Sequence, residues 1–560
     1  MTLLNFCKSN SRIIFLYVAL LVLILVPLYC VFEYSITKDG HLSFDTAINT
    51  IADSENSTMI VNSLLLATGV VILTTVISTP LAYLFSRTSL SRYSIFDVIF
   101  LIPFMTPPYI ASMGWILFMQ KRGLLEQIIP ATKLFNQYFF SLFGLIVVMS
   151  LHIFPFMVMI LKNAMLNIPQ SLEESGAVFG ASFTKRLRKI FLPLITSNYA
   201  IGALLIFVKT LSEYGTPATL GKRIGFDVFT TQIHRFASIA PIDFGKAATL
   251  SSVLITICIA LWLIQNYISK KRTYNLVDNK ASRFKLIELT GFVKLLSFAY
   301  VGLIVTVSII VPYFSIISTS LIKLRGYGLR AGNFTFDNYR DLFLESDKGI
   351  SALSNSFAIS LFAAIVCAIL GTLIVMTIRS STFKYKKSLE AISLIPQMLP
   401  GIVIVIGIML FYNSIYKYFP VYNTLWIIAI AYVIQFLPFT VQYVTSASSQ
   451  VSENLINAGY VFGGSKIFTF VRITLPLIFK GVIAGFMMTF IIGLRELVTP
   501  SLIAPPNTLV VSTFIMREFE QGSVSSGMAM AVICVLVTTT SLIALKLLVT
   551  SKLKKKNKAL

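Results

Sequence analysis

Residues 174–195 read ESGAVFGASFTKRLRKIFLPLI, and residues 457–478 read NAGYVFGGSKIFTFVRITLPLI. Ten of the 22 aligned positions are identical at a constant offset of 283: Gly176/Gly459, Val178/Val461, Phe179/Phe462, Gly180/Gly463, Ser182/Ser465, and the run Ile190, Leu192, Pro193, Leu194, Ile195 with Ile473, Leu475, Pro476, Leu477, Ile478. Each copy predicts a short helix with an apolar stripe, a glycine and a serine at a turn, and a second, basic amphipathic helix. A Leu-Pro pair then opens an apolar run. Repetition at fixed spacing marks a duplicated structural unit, so the fold follows from what surrounds this hairpin twice.

What surrounds it is apolar. The chain has 560 residues, 56% hydrophobic and 12% charged, with a mean hydropathy of +0.82, far more apolar residue than a soluble core hides. The fold class expected is an all-α polytopic membrane protein. Residues 13–32 are twenty uncharged positions after Lys8 and Arg12, and at ~1.5 Å per residue they cross a ~30 Å hydrocarbon core. That run is too long for a signal peptide and lacks a small-residue cleavage site. Further spans are predicted at about 60–85, 94–120, 139–163, 197–217 and 246–268, then 293–317, 352–378, 389–412, 424–446, 480–500 and 527–550. This makes twelve helices, six in residues 1–290 around the loop 173–195 and six in residues 291–560 around the loop 456–478.

The duplication extends past the hairpin. Asn62-Ser63 matches Asn355-Ser356, Ile102-Pro103 and Pro107 match Ile395-Pro396 and Pro400, and Pro155-Phe156 matches Pro438-Phe439. Since six is even, both halves enter the membrane with one orientation and are parallel repeats. Pro103, Pro107, Pro108, Pro396 and Pro400 read first as packing kinks, which membrane helices tolerate. Charge supports the arrangement: 29 of the 46 Lys and Arg but only seven of the 23 Asp and Glu fall on the side holding both termini, the hairpins and the segment 270–292. By the positive-inside rule that side is cytoplasmic, whereas 33–58, 121–138, 218–245, 318–351, 413–423 and 501–526 face outward. A basic face of this kind meets anionic lipid, not nucleic acid.

Gly180 to Pro193 and Gly463 to Pro476 both span 13 residues, and in this the chain resembles the inner-membrane permeases of ATP-binding-cassette importers. The resemblance implies that each hairpin is a coupling helix seated in a groove of a cytoplasmic ATPase, so two ATPase copies and an extracytoplasmic binding protein are the expected partners, in a bacterial inner membrane. Glu174, Gly176, Gly180, Ser182, Pro193, Gly459, Gly463, Ser465 and Pro476 carry that match. The first copy has Glu174-Ser175-Gly176 where the second has Asn457-Ala458-Gly459, so the acidic residue is present in one half alone. Fusion of two six-helix halves, with 211–236 and 241–254, looks most like the ferric-iron permeases. Fused thiamine, phosphonate and polyamine permeases share the architecture.

One feature near the membrane stands apart from packing. After each hairpin a short apolar run ends in a polar cluster, LSEYGTP at 211–217 and LRELVTP at 494–500, aligning Glu213 with Glu496 and Thr216-Pro217 with Thr499-Pro500. Carboxylates at a bilayer edge demand partners or water. Lys209 and Arg495 offer an ionic partner; a place in the translocation path for Glu213, Thr216, Glu496 and Thr499 is the functional reading, because short interrupted segments at matching repeat positions point to a site.

Other classes fit less well. A phosphate-binding loop needs GxxxxGK[ST]; the nearest string, GTPATLGKR at 215–223, has one residue too many between its glycines and Arg223 in place of the hydroxyl. No cofactor is therefore expected in this chain, and ATP and magnesium belong to the ATPase. A secondary transporter would want titratable groups near the midplane, and a membrane enzyme would want a cluster of them. The five cysteines and three histidines are scattered singly, so the chain is expected to be a transport subunit and not an enzyme.

Overall fold

A computed structural model describes residues 11–38, 41–93, 95–100, 102–271, 286–345, 347–380 and 385–556. The interhalf segment 272–285 lies outside the described residues. Apart from a two-residue ribbon pairing Thr37–Lys38 with His41–Leu42, the regular structure among the described residues is helical. In lipid every backbone N–H and C=O needs an internal partner, and a helix supplies them all.

Among the described residues ten helices are long and apolar enough to span a membrane, and eleven if one bent pair counts as a span. The count of twelve is thus not reached, and two of the expected spans are interrupted. Residues 94–120 do not form one helix: Ile95–Ile99, Ile102–Met105 and Pro108–Met119 are separate pieces. Residues 389–412 form Lys386–Met398 and Gly401–Ser414, bent by 108°. The breaks fall at Pro107 and Pro400, each in extended backbone immediately before the following helix. A proline has no N–H to donate and drives the residue before it out of the helical region. These prolines terminate helices instead of kinking them.

The chain forms two compact units, and they are not the two sequence halves. One unit holds residues 52–232 and 256–335. In it Leu142–Leu166 packs along Ser54–Arg87, Arg188–Ser212 lies against both, and Val311–Leu321, from the first span of the second half, packs on Pro108–Met119. That last pair approaches closely: a Cβ on Gly114 would lie 2.7 Å from the Pro312 carbonyl oxygen.

The other unit holds residues 1–51, 233–255 and 336–560. There Asp347–Ser380, Leu425–Ser449 and Leu475–Leu494 pack mutually, and Val26–Ile36, from the first span of the first half, packs on Gly401–Ser414. Gly407 faces the Pro27 carbonyl, which would sit 2.5 Å from an added Cβ. Each unit therefore takes its first span from the opposite half of the sequence. The junction repeats a glycine against a Val-Pro pair, Gly114 with Val311-Pro312 and Gly407 with Val26-Pro27.

Candidate functional site

The two hairpins have the same internal construction. Gln170–Val178 and Glu453–Val461 are the first helices. Each ends on a glycine in the left-handed region, Gly180 at φ +73° and Gly463 at φ +80°. The next N–H then reaches back five residues, from Ala181 to the Gly176 carbonyl at 2.9 Å and from Gly464 to the Gly459 carbonyl at 2.9 Å. This is the Schellman closure, which needs a residue without a Cβ at the left-handed position. Nothing lies within 4 Å of where a Cβ on Gly180 or Gly463 would stand, so backbone conformation and not space selects glycine there.

Gly176 and Gly459 are selected by space. A Cβ on Gly176 would meet Ile190 Cδ1 at 2.9 Å, and one on Gly459 would meet Ile473 Cδ1 at 2.6 Å. The repeated Gly and Ile thus hold the two arms of each hairpin together. Ser465 Oγ caps the second arm by accepting the Phe468 N–H at 3.2 Å, and Ser182 Oγ accepts the Lys185 N–H at 3.4 Å. Before each Leu-Pro the helix widens for one turn, at Leu187–Phe191 and Phe470–Thr474. That turn takes up the hydrogen bond Pro193 or Pro476 cannot make, and the helix continues into the apolar run.

The hairpins present what they do not bury. Val178 and Phe179 are 84% and 88% exposed, and Val461 and Phe462 are 83% and 90% exposed. Two adjacent large apolar side chains thus stand exposed beside the glycine turn in both repeats, and exposed apolar side chains grouped in this way are candidates for a contact. Glu174 is also exposed on the first helix.

The carboxylates lie beyond the spans they were expected to occupy. Those helices end at Ser212 and Leu494, and Glu213 leaves in extended backbone at φ −78°, ψ 132°. Its side chain folds forward, so that the Thr216 N–H donates to both carboxylate oxygens at 3.1 and 3.0 Å. Glu496 Oε1 likewise accepts the Thr499 N–H at 3.2 Å, and the Thr499 hydroxyl accepts from Gln435 Nε2 at 2.8 Å. Each carboxylate thereby starts the next helical segment, Pro217–Gly221 or Val498–Ile503. Lys209 is exposed, and no ion pair joins it to Glu213 among the described residues. The backbone supplies the partner that the sequence offered to a lysine.

Each break is braced by residues the sequence did not assign. The Glu213 carbonyl accepts from Thr230 Oγ1 at 2.8 Å, and the Glu496 carbonyl accepts from Ser512 Oγ. The helices carrying these hydroxyls begin at Phe229 and Val511. Their first N–H groups donate to Ser63 Oγ at 2.9 Å and Ser356 Oγ at 2.8 Å, while Asn62 and Asn355 donate to the Asp227 and Leu509 carbonyls. The repeated Asn-Ser pairs were visible in the sequence, but their target, some 160 residues away, was not.

Residues 75–274 and again 360–555 match the family described as binding-protein-dependent transport system inner membrane component. The ferric transport system permease protein FbpB of Actinobacillus pleuropneumoniae is 24% identical over 86% of this chain and 69% of its own length. The Fe(3+)-transport system permease protein FbpB 2 of Haemophilus influenzae is 25% identical over 94% of this chain and 97% of its own length. A putative 2-aminoethylphosphonate transport system permease protein of Salmonella typhi is 24% identical over 44% of this chain and 94% of its own length. With two matched stretches that cover well over half of it, each enclosing one hairpin and one carboxylate break, the chain belongs to the inner membrane components of binding-protein-dependent transport systems, as two such components fused.

Proposed function

We propose that this chain is the permease of an ATP-driven importer that carries ferric iron inward from an extracytoplasmic binding protein. The permease reading rests on one observation above others, the two hairpins of like construction that each expose a Val-Phe pair behind a Schellman turn. Each hairpin seats one copy of a cytoplasmic ATPase, and hydrolysis there is felt by the span that follows each Leu-Pro. Both termini and both hairpins face the cytoplasm, consistent with where Lys and Arg collect.

Iron is favoured by the relatives that match this chain over most of its length, both described as ferric transport permeases. The phosphonate permease matches a single half. Ferric ion is a hard cation that prefers carboxylate oxygen, and each unit places one half-buried carboxylate at a helix break, Glu213 and Glu496. Both are assigned to the path of the ion, with Thr216 and Thr499 setting their orientation.

Radioactive ferric iron uptake in cells with and without this chain tests the assignment. Loss of iron uptake on deletion, restored by the intact chain, is expected. Unchanged iron uptake with loss of 2-aminoethylphosphonate uptake instead moves the cargo to phosphonates and leaves the permease reading in place.

A further inference from the structure

The root of each hairpin is held by an arginine that the topology counted only as a cytoplasmic charge. Arg87, at the last turn of Ser54–Arg87, is 4% exposed, and its Nη2 donates to the Met165 carbonyl at 2.6 Å and the Ile168 carbonyl at 2.9 Å. Arg379, near the end of Asp347–Ser380, donates from Nη1 to the Ser448 carbonyl and from Nη2 to the Val451 carbonyl. Met165/Ile168 and Ser448/Val451 are the same positions of the repeat, again 283 apart.

These carbonyls bracket a hinge. The fourth-span helix ends at Leu166 and the hairpin begins at Gln170; in the second half the helix ends at Ser449 and the hairpin begins at Glu453. One carbonyl of each pair belongs to the last turn of the helix, where it also accepts a linker N–H, from Ile168 at 3.2 Å in the first half and from Val451 at 3.0 Å in the second, and the other belongs to the linker. A guanidinium bonded to both prevents the linker from changing its angle to the helix without breaking a charge-assisted bond. The cation also sits at the negative end of the helix dipole. In the first half the staple reaches further: the Arg87 guanidinium lies over the Phe191 ring at 5.2 Å, next to the Leu192-Pro193 pair that closes the hairpin.

We propose that Arg87 and Arg379 are positioning residues for coupling. Each staples the hairpin's hinge to the inner end of the second-span helix, so that force arriving at the exposed Val-Phe pair moves the second and fourth spans of that unit together instead of bending the linker. The proposal rests on the reading that the hairpins dock the ATPase. A staple of this kind adds nothing to docking affinity; it governs how much of the hairpin's movement reaches the membrane.

The test uses the complete transporter, this chain purified with its ATPase in lipid nanodiscs, carrying Arg87→Gln, Arg87→Lys, Arg379→Gln or Arg379→Lys. Loss of the charged hydrogen bonds raises hydrogen exchange in residues 165–180 about tenfold in Arg87→Gln, with residues 448–463 unchanged, and the reverse holds for Arg379→Gln. The lysine variants fall between, because an ammonium still donates to one carbonyl but lacks the fork. ATPase content stays at the parental level in all four, while hydrolysis in the glutamine variants no longer responds to added binding protein. Unchanged exchange in the glutamine variants overturns the staple. So does equal loss of folded permease in the lysine and glutamine variants, which marks a general structural role. Absence of the ATPase from the parental complex overturns the docking reading instead, and the exchange comparison still decides whether the hinge is stapled.

Discussion

Phe229 donates its backbone N–H to Ser63 Oγ at 2.9 Å, and the second half repeats the bond from Val511 to Ser356 at 2.8 Å. The serine belongs to the second-span helix and the N–H opens the helix that braces the carboxylate break. The same second-span helix ends at Arg87, which staples the hairpin root. From Ser63 to Arg87 is 24 residues, or ~36 Å of helix at ~1.5 Å per residue. One helix thus bonds both to the segment that braces the candidate path and to the root of the candidate motor contact in its unit.

Removing the serine hydroxyl leaves a buried N–H without its acceptor. Ser63→Ala is expected to destabilise the permease by ~1–3 kcal/mol, and Ser63→Ala with Ser356→Ala by the sum, since the two lie in separate units. Thermal unfolding of the purified protein reads this directly. Unchanged melting in the double variant would remove the clamp from the account.

Glu213→Gln and Glu496→Gln keep one oxygen acceptor for the Thr216 and Thr499 N–H groups, so the helix breaks are expected to persist. The charge is lost. Iron uptake per assembled complex falls in each variant and further in the double one, with complex yield unchanged. A fall in yield alone would make the carboxylates purely structural.

Because Gly180 and Gly463 are chosen for conformation, a large side chain is not what harms them. Valine in the left-handed region costs ~1–2 kcal/mol, and asparagine visits it readily. Gly180→Val should weaken ATPase retention while Gly180→Asn keeps it. Equal behaviour of the two in pull-down would refute the turn argument.

Phe179 and Phe462 bury almost nothing in the permease. Phe179→Ser with Phe462→Ser should therefore leave permease melting unchanged and abolish co-purification of the ATPase. If melting drops and the ATPase remains bound, these rings serve the permease fold.

Orientation is checked with an impermeant thiol reagent. Ser54 and Val178 are both exposed, so Ser54→Cys is expected to label in intact cells and Val178→Cys only after lysis. Labelling of Val178→Cys in intact cells would invert the topology.

Much was legible in the chain because it depends on local pattern. Apolar runs of spanning length, the repeat at 283 and the asymmetry of Lys and Arg need no tertiary information. Helix formation in lipid is obligatory for such runs, and a duplicated sequence yields a duplicated local structure. The hairpin's logic was half visible: its glycines stood out, yet only the backbone distinguishes Gly180, which needs a left-handed φ, from Gly176, which needs room for Ile190. Pro107 and Pro400 read as kinks in the sequence because the pattern alone does not show whether the backbone stays helical across a proline, and at both it turns extended.

Which half supplies the first span of each unit, which carbonyls Arg87 and Arg379 reach, and why Asn62-Ser63 recurs as Asn355-Ser356 were decided by tertiary structure alone. Those bonds join residues about 70 to 170 apart along the chain. Sequence periodicity reports which side of a helix is apolar, but not which distant backbone group a single polar side chain meets once the helices have packed.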